Sequence, residues 1–287
     1  MTYRSILILS FFCFYSLVSA QHKDYKPVKF PETYSAKIDV IYKEVDGWKG
    51  RIDLYTNTTS KQPTPIVLNI HGGGWNHGEK ESQTGFSTFF KNGYAVANVA
   101  YRLVDTAPAP AAIEDIRCAL IYLYNNATTL NIDTSKIVII GGSSGGHLAL
   151  MAGFLENNTT FDSDCHYEGE LKVAAIINKY GITDLSPLTK SKSVKRWLAK
   201  KTKDNDFIAS VSPINYVTKN SPPTFTVHGD ADPIVPYSQS VRLHRRLKNH
   251  GVMSEFLTIP NGKHGGFSIE ERKLYSDKMW VFLKKII

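Results

Sequence analysis

A serine set among small residues is the first feature of this sequence that could carry out chemistry. Residues 142–146 (GSSGG) fit the pattern Gly-x-Ser-x-Gly with Ser144 at the centre. They follow an apolar run at 137–140 and precede a helix-like segment, which is the context of a nucleophile elbow. A plain strand-to-helix turn or a phosphate loop is the alternative, although no lysine stands where a phosphate loop needs one. We predict Ser144 as the nucleophile.

A second glycine-rich segment, residues 71–75 (HGGGW), follows another apolar run at 66–70. Acyl transfer creates an oxyanion that backbone N–H groups must approach to about 3 Å, and glycine permits such close approach. We predict that the amides of Gly73 and Gly74 form an oxyanion hole with that of Gly145, the residue after the predicted nucleophile. An ordinary loop is the alternative.

Two further segments contain the acid and the base that a serine nucleophile needs. Residues 228–236 (HGDADPIVP) offer Asp232 as the carboxylate that orients a histidine, with Asp230 as the runner-up. This segment could instead bind a metal or cap a turn, but no further cluster completes a coordination shell. His264 lies in a glycine-containing loop, and the chain order serine, Asp232, His264 is typical of a hydrolase triad. We therefore predict a Ser-Asp-His triad.

The segments around these residues predict an α/β protein with a mainly parallel central sheet. Short apolar or alternating runs indicate strands near 36–42, 51–55, 65–70, 93–99, 136–140, 172–177, 224–227 and 255–259. Helical spacing indicates helices near 111–126, 145–155, 237–250 and 270–287. The first two strands form a predicted hairpin, and no linker rich in Pro, Ser or Gly divides the chain.

Composition excludes several classes of protein. The chain has 287 residues, of which 42% are hydrophobic and 21% charged, so it can bury a full core and is not disordered. Three cysteines are too few for a disulfide scaffold. The net charge is +8, but the basic residues are spread along the chain and do not indicate nucleic-acid binding.

The N-terminus is typical of an exported protein. One arginine, an apolar run of about 15 residues and a small-residue site predict a signal peptide over residues 1–20, cut after Ala20. Residues 21–287 would then form a single secreted or periplasmic domain with no membrane span. Cys118 and Cys165 remain in that domain; they could pair, but the sequence does not decide whether they do.

Several motifs together resemble the HGGG-bearing serine esterases of the α/β-hydrolase superfamily, near the hormone-sensitive-lipase-like group and the bacterial feruloyl and acetylxylan esterases. The resemblance extends over about residues 36–287. Its elbow departs from the Asp-Ser-Ala-Gly that is frequent in that group. The motifs are His71–Trp75, 101–103 (YRL), 110–115 (PAAIED), Gly141–His147, 212–213 (SP), His228–Pro236 and 264–265 (HG).

The resemblance implies an α/β-hydrolase fold with helices on both faces of the sheet and small cap or lid loops. It implies a secreted serine carboxylesterase that hydrolyses short-chain or aryl esters through an acyl-enzyme, without a metal or organic cofactor. Acyl groups on plant-type polysaccharide are the expected substrates. An amide-cleaving relative, of the kynurenine-formamidase or prolyl-peptidase type, is the alternative, and a non-catalytic binding protein on the same fold is a further one.

Substrate contacts are less well indicated by the sequence. Trp75 and Trp197 could stack on sugar or aryl groups. The lead-in at 21–35 and the segment 186–211 are candidates for a lid. The basic cluster at 190–203 fits a solvated face of an amphipathic helix, or else a surface that meets an acidic polysaccharide. An ester substrate and a polysaccharide are the expected partners, nucleic acid is not expected, and no oligomeric state is predicted.

Overall fold

A single eight-stranded sheet runs through the computed structural model, which describes residues 25–162 and 165–287. The strand order is β1-β2-β4-β3-β5-β6-β7-β8. The strands β1, β2 and β4 pair antiparallel, and all pairs from β4 onward are parallel. The strands are β1 (Tyr34–Val45), β2 (Trp48–Asn57), β3 (Thr64–Ile70), β4 (Ala95–Val99), β5 (Ile132–Gly142), β6 (Ala175–Lys179), β7 (Thr224–Gly229) and β8 (Ser254–Ile259).

Helices cover both faces of this sheet. Helices α2, α4 and α7 contribute to one apolar core and α1 and α8 to a second, which contains the opposite side chains of the same strands. The predicted α/β class, mainly parallel sheet and antiparallel start are confirmed. The helices are α1 (Ser87–Lys91), α2 (Ala111–Asn125), α3 (Ala127–Leu130), α4 (Ser144–Phe154), α5 (Lys192–Leu198), α6 (Asn205–Ser210), α7 (Ser238–Asn249) and α8 (Ile269–Leu283).

The strands and long helices lie where the sequence pattern places them, whereas the short helices were not individually predicted. β4 is buried at every position, and β5 is buried from Ile137 to its end, because helices lie on both faces. Helices α1, α5 and α6 have only five to seven residues. Such helices depend on tertiary packing, so an apolar periodicity is hard to detect in them.

Helix α2 is joined to the segment after α4 by a covalent bond and an ion pair. Cys118 and Cys165 form a disulfide, with their Cα atoms 5.4 Å apart. One residue earlier, the fully buried Arg117 forms an ion pair with Asp162, with 2.6 Å between Nη2 and Oδ2. The sequence left this cysteine pairing undecided, and the fold decides it.

The parallel topology brings the sequence motifs to one edge of the sheet. The carboxyl ends of β3, β5, β7 and β8 lead into the segments that contain His71–Trp75, Ser143, Asp232 and His264. In open α/β sheets a ligand binds outside this edge. No helix among the described residues is both long and apolar enough to cross a membrane. The predicted signal peptide lies outside the described residues.

Candidate active site

The turn between β5 and α4 presents one serine in an unusual backbone conformation. Ser143 has φ 57° and ψ −123°, a combination that L-residues rarely adopt. The turn is possible because glycines stand on both sides of it. A Cβ on Gly141 would lie 2.2 Å from the carbonyl oxygen of Gly145, and a Cβ on Gly145 would lie 2.4 Å from that of Ile70. This is the geometry of a nucleophile elbow centred on Ser143.

A chain of hydrogen bonds connects this serine to a histidine and a carboxylate. His264 Nε2 lies 2.9 Å from Ser143 Oγ, and His264 Nδ1 lies 2.6 Å from Asp232 Oδ2. Because a carboxylate only accepts, Nδ1–H donates to Asp232 and Nε2 is left to accept the proton of the Ser143 hydroxyl. The predicted Asp232 and His264 are therefore brought together, but with Ser143 as their serine.

The choice of Ser144 as the nucleophile is wrong. Ser144 is fully buried and begins α4, next to the hydroxyl of Tyr101, so its side chain faces the interior instead of His264. The two adjacent serines let the pattern Gly-x-Ser-x-Gly fit in two registers, and residues 141–145 are the correct one. The missed signal was the length of β5, which continues through Gly142 and leaves Ser143 at the turn.

The choice of Gly145 as an oxyanion donor is wrong for the same reason. The residue after the elbow serine is Ser144, so the rule that pointed to Gly145 predicts the amide of Ser144 as the donor instead. Gly145 packs against the backbone at the end of β3, where only hydrogen fits in place of a side chain.

Asp232 is held as an anion although its carboxylate is buried. Burial raises the pKa of Asp232, but hydrogen bonds from His228 and His264 and from two backbone amides outweigh it and lower the pKa well below its usual range. His228 Nε2 lies 3.0 Å from Oδ2, and the amides of Ile234 and Val235 lie 2.8 and 3.0 Å from Oδ1.

The neighbouring carboxylate has a different role. Asp230 is exposed and accepts a bond from the amide of Asn261. It therefore joins two loops and does not reach His264. His228 entered the sequence analysis only as part of a segment that could bind a metal, and nothing in its sequence context indicated that its ring hydrogen-bonds to Asp232. Among residues 25–162 and 165–287 no group of three or more His, Cys, Asp and Glu side chains could hold a metal ion.

The glycine loop after β3 lies directly beside the elbow. A Cβ on Gly72 would lie 3.5 Å from Ser143 Cβ, so the loop contacts the serine. Gly73 has φ +120°, and a Cβ there would lie 1.9 Å from the carbonyl oxygen of His77, so no other residue fits. In the described part of the chain the amides of Gly73 and Gly74 donate to no acceptor. The loop therefore has backbone N–H groups free beside Ser143.

A cavity of about 430 Å³ opens in front of Ser143 and His264. Its walls come from the glycine loop, from the ends of β5 and β6 and from residues 186–211, which we call the cap segment. The cap segment contributes Leu188, Ser191, Ser193 and Val194 to the wall. The described part of the lead-in, residues 25–35, which was the other lid candidate, does not line this cavity, and Phe30 packs against Tyr55 of the opposite core.

The two predicted stacking tryptophans pack mainly on each other. The rings of Trp75 and Trp197 are stacked at 4.4 Å, and His147 meets both edge-on at 5.1 Å. Each tryptophan is 1% exposed. Trp75 forms part of the cavity wall, but Trp197 does not line the cavity. The predicted role of Trp197 as a substrate contact is therefore wrong. Its apolar ring is used to anchor helix α5.

The basic cluster of the cap segment follows the helical pattern. Val194, Trp197 and Leu198 are buried, whereas the lysines and Arg196 of α5 face solvent. Arg196 pairs with Asp105, and Lys201 pairs with Asp204 at 2.9 Å. This is a solvated face of an amphipathic helix.

The mainly parallel sheet with a Ser-His-Asp array at its carboxyl edge defines a class, the proteins with an α/β-hydrolase fold. Within that class the chain belongs to the BD-FAE family, whose model matches residues 52–247.

Individual relatives agree with this class. The chain is 26% identical over 233 residues to Esterase LipC of Mycobacterium tuberculosis, an alignment that covers 77% of this chain and 56% of LipC. The chain spans about half the length of the curated relatives it matches.

Two solved structures are similar over most of this chain. A truncated carbohydrate esterase from gut microbiota is 28% identical, with a TM-score of 0.77, and the match covers 89% of this chain and 99% of that protein. A bifunctional GH43-CE protein of Bacteroides eggerthii is 27% identical, with a TM-score of 0.74, and the match covers 87% of this chain and 38% of that protein.

Proposed function

We propose that the protein is a serine ester hydrolase. The observation that carries this proposal is the hydrogen-bonded array in which His264 links Ser143 Oγ to Asp232. In the proposed reaction His264 accepts the Ser143 proton while Oγ attacks the ester carbonyl carbon, and Asp232 stabilises the imidazolium. The amides of Gly73, Gly74 and Ser144 receive the oxyanion.

The tetrahedral intermediate then collapses as the carbon–oxygen bond to the alcohol breaks. His264 gives its proton to the leaving alcohol, and an acyl-enzyme on Ser143 remains. Water adds to the acyl carbon while His264 takes a proton from it. Release of the acid returns that proton to Ser143. No metal or organic cofactor takes part in this scheme.

A pair of serine variants tests this assignment. Ser143→Ala should lower kcat on p-nitrophenyl acetate by about 10⁴-fold or more, because the attacking oxygen is lost. The matched control is Ser144→Ala, which removes a buried hydroxyl but leaves its amide and should retain activity within about 10-fold. Full loss in Ser144→Ala with retention in Ser143→Ala, both folded by circular dichroism, would contradict the assignment.

For the substrate, we propose acyl groups on plant-type polysaccharide. Support comes from the similarity to a carbohydrate esterase and to the GH43-CE protein, together with an open cavity of about 430 Å³. The test is a panel of p-nitrophenyl acetate, butyrate and octanoate, methyl ferulate and acetylated xylan. Fast release from acetate and xylan would support an acetylesterase, and preference for methyl ferulate would support a feruloyl esterase. Turnover of a formamide or proline arylamide instead would favour an amide-cleaving enzyme.

We also propose that residues 1–20 are removed on export and that residues 21–287 form one domain. The sequence pattern of the N-terminus supports the first statement, and the continuous sheet over strands β1 to β8 supports the second. N-terminal sequencing of protein from the medium or periplasm should begin at Gln21. Retention of Met1 in cell-associated protein would overturn the export proposal.

A further inference from the structure

A lysine stands next to the elbow serine on the cavity wall. Lys179 is the last residue of β6, and its Cα pairs with that of Gly142 in the neighbouring strand. Its carbonyl accepts a hydrogen bond from the Ser143 amide at 2.9 Å, and its Cε would lie 3.4 Å from a Cβ on Gly142. Lys179 lines the same cavity as Ser143 and His264. The lysine side chain is therefore part of the wall that a substrate meets.

The ammonium group of Lys179 has no partner within the chain as described. Among residues 25–162 and 165–287 no carboxylate pairs with it, and it donates no hydrogen bond. The buried Lys80 is different, since Asp53 lies 2.8 Å and Asp39 2.9 Å from its Nζ.

The surroundings of the Lys179 amine favour binding of an anion. The Lys179 side chain is half-buried at the cavity wall, and burial lowers its pKa, because the surrounding protein replaces part of the water around the ammonium group. A carboxylate bound in the cavity would offset that cost, because it supplies the charge and the acceptor that the protein does not.

The strand order decides which part of a substrate would meet this lysine. The sheet runs β3-β5-β6-β7-β8, so the glycine loop after β3 lies on one side of Ser143. Lys179 lies on the other side, toward His264, and the ring of its neighbour Tyr180 packs 4.7 Å from the His264 ring. In the proposed reaction His264 protonates the leaving alcohol, so the alcohol departs on the Lys179 side.

We infer that Lys179 is a specificity residue that binds a carboxylate on the alcohol portion of the substrate, and this inference rests on the proposed ester hydrolysis. The ligand class is an ester whose alcohol is acidic, as in an acylated uronic acid. Gln83 and Asn76 also line the cavity and offer amide groups for the hydroxyls of such a sugar.

The test compares 4-acetoxybenzoate with its neutral methyl ester, which share an acyl group and differ by one charge on the leaving alcohol. The ratio of the two kcat/KM values, anionic over neutral, is measured for the wild type and for Lys179→Met. A charge-assisted hydrogen bond predicts that the ratio falls by about 10-fold or more in Lys179→Met. Lys179→Gln serves as the neutral variant if the methionine protein does not fold.

Lys192→Met is the matched control, because Lys192 is exposed beside the cavity but does not line it. Its ratio should equal that of the wild type. A second ester pair, mono-4-nitrophenyl succinate and 4-nitrophenyl butyrate, places the charge on the acyl side. Its ratio should change less in Lys179→Met than the ratio of the first pair.

Three outcomes would overturn the inference: an unchanged first ratio in both neutral Lys179 variants, an equal fall in Lys192→Met, or a larger change in the acyl-side pair. Failure of the proposed function is a separate result, in which the wild type hydrolyses neither the neutral methyl ester nor 4-nitrophenyl butyrate.

Discussion

The elbow and triad loops at the carboxyl edge of the sheet and the cap segment enclose the same cavity but are held in different ways. At the edge, backbone contacts leave almost no freedom, since Gly141 and Gly145 each face a carbonyl oxygen closer than 2.5 Å to any added Cβ. The cap segment consists of short helices and 3-10 turns, and it is anchored by side chains such as Trp197. The proposed catalytic residues therefore lie in a region that backbone contacts fix. The residues expected to fit the substrate lie in a region that side-chain packing holds in place.

The largest expected effect comes from a substitution at the carboxyl edge of the sheet that leaves the cap segment unchanged. Asp232→Asn should lower kcat on p-nitrophenyl acetate by about 10⁴-fold, because the amide no longer fixes the His264 tautomer or stabilises its charged form. Steady-state kinetics on the folded variant checks this. The neighbouring Asp230→Asn is the control and should stay close to wild type, because the Asp230 side chain accepts a hydrogen bond from the Asn261 amide and does not reach His264. Equal losses in both variants would contradict the assignment of Asp232.

The next largest effect is a loss of folding stability caused by a substitution in the cap segment. Trp197→Ala should lower the free energy of unfolding by about 3–5 kcal/mol, because a buried ring that stacks on Trp75 and meets His147 edge-on is replaced by a cavity. Urea denaturation measures the change. An unfolding midpoint equal to that of the wild type would mean that the cap segment is not anchored by this ring.

A pH experiment tests the protonation state of His147, whose ring packs against Trp197. Burial lowers the pKa of His147 to about 4, against an ordinary value of 6.5, although its bond to the Val211 carbonyl opposes the shift. The unfolded chain therefore binds a proton more readily, and stability falls as the pH drops from 6.5 toward 4. The contribution of His147 to this loss is at most about 3 kcal/mol.

His147→Gln should remove this contribution, so the stability difference between wild type and variant should become smaller as the pH falls. Urea unfolding at pH 7, 5.5 and 4.5 measures the trend. His166→Gln, at a side chain that is 83% exposed, is the control. A difference that stays constant over this range would contradict a neutral, buried His147.

The smallest expected effect sharpens the role of the cap in substrate fit. Ser193 lines the cavity and lies against the glycine loop, since a Cβ on Gly74 would be 3.2 Å from Ser193 Cβ. Ser193→Leu should lower kcat/KM for p-nitrophenyl octanoate about 10-fold more than for the acetate, because the added side chain narrows the cavity. The exposed Lys192→Leu should not change that ratio. A uniform loss on both esters would place Ser193 outside the acyl-binding wall.

Most of the fold followed from the sequence, because buried strands and long amphipathic helices have periodic signals that do not depend on their neighbours. All eight predicted strands overlap strands of the sheet. The order of the motifs along the chain likewise indicated Asp232 and His264, since each follows a strand of a mainly parallel sheet. Helices α1, α5 and α6 were not resolved individually because segments of five to seven residues are stabilised by packing.

The choices that failed were those between near-equivalent residues. The sequence determined that a serine elbow lies at 141–146, but both serines satisfy the pattern, and only the backbone turn and the position of His264 single out Ser143. An aromatic side chain suits a sugar platform and a core equally well, and the cap packing decided that Trp197 is buried. The cysteine pair was likewise decided by tertiary structure, and so was the lack of a carboxylate partner for Lys179 among the described residues, because both depend on distances between segments far apart in the chain.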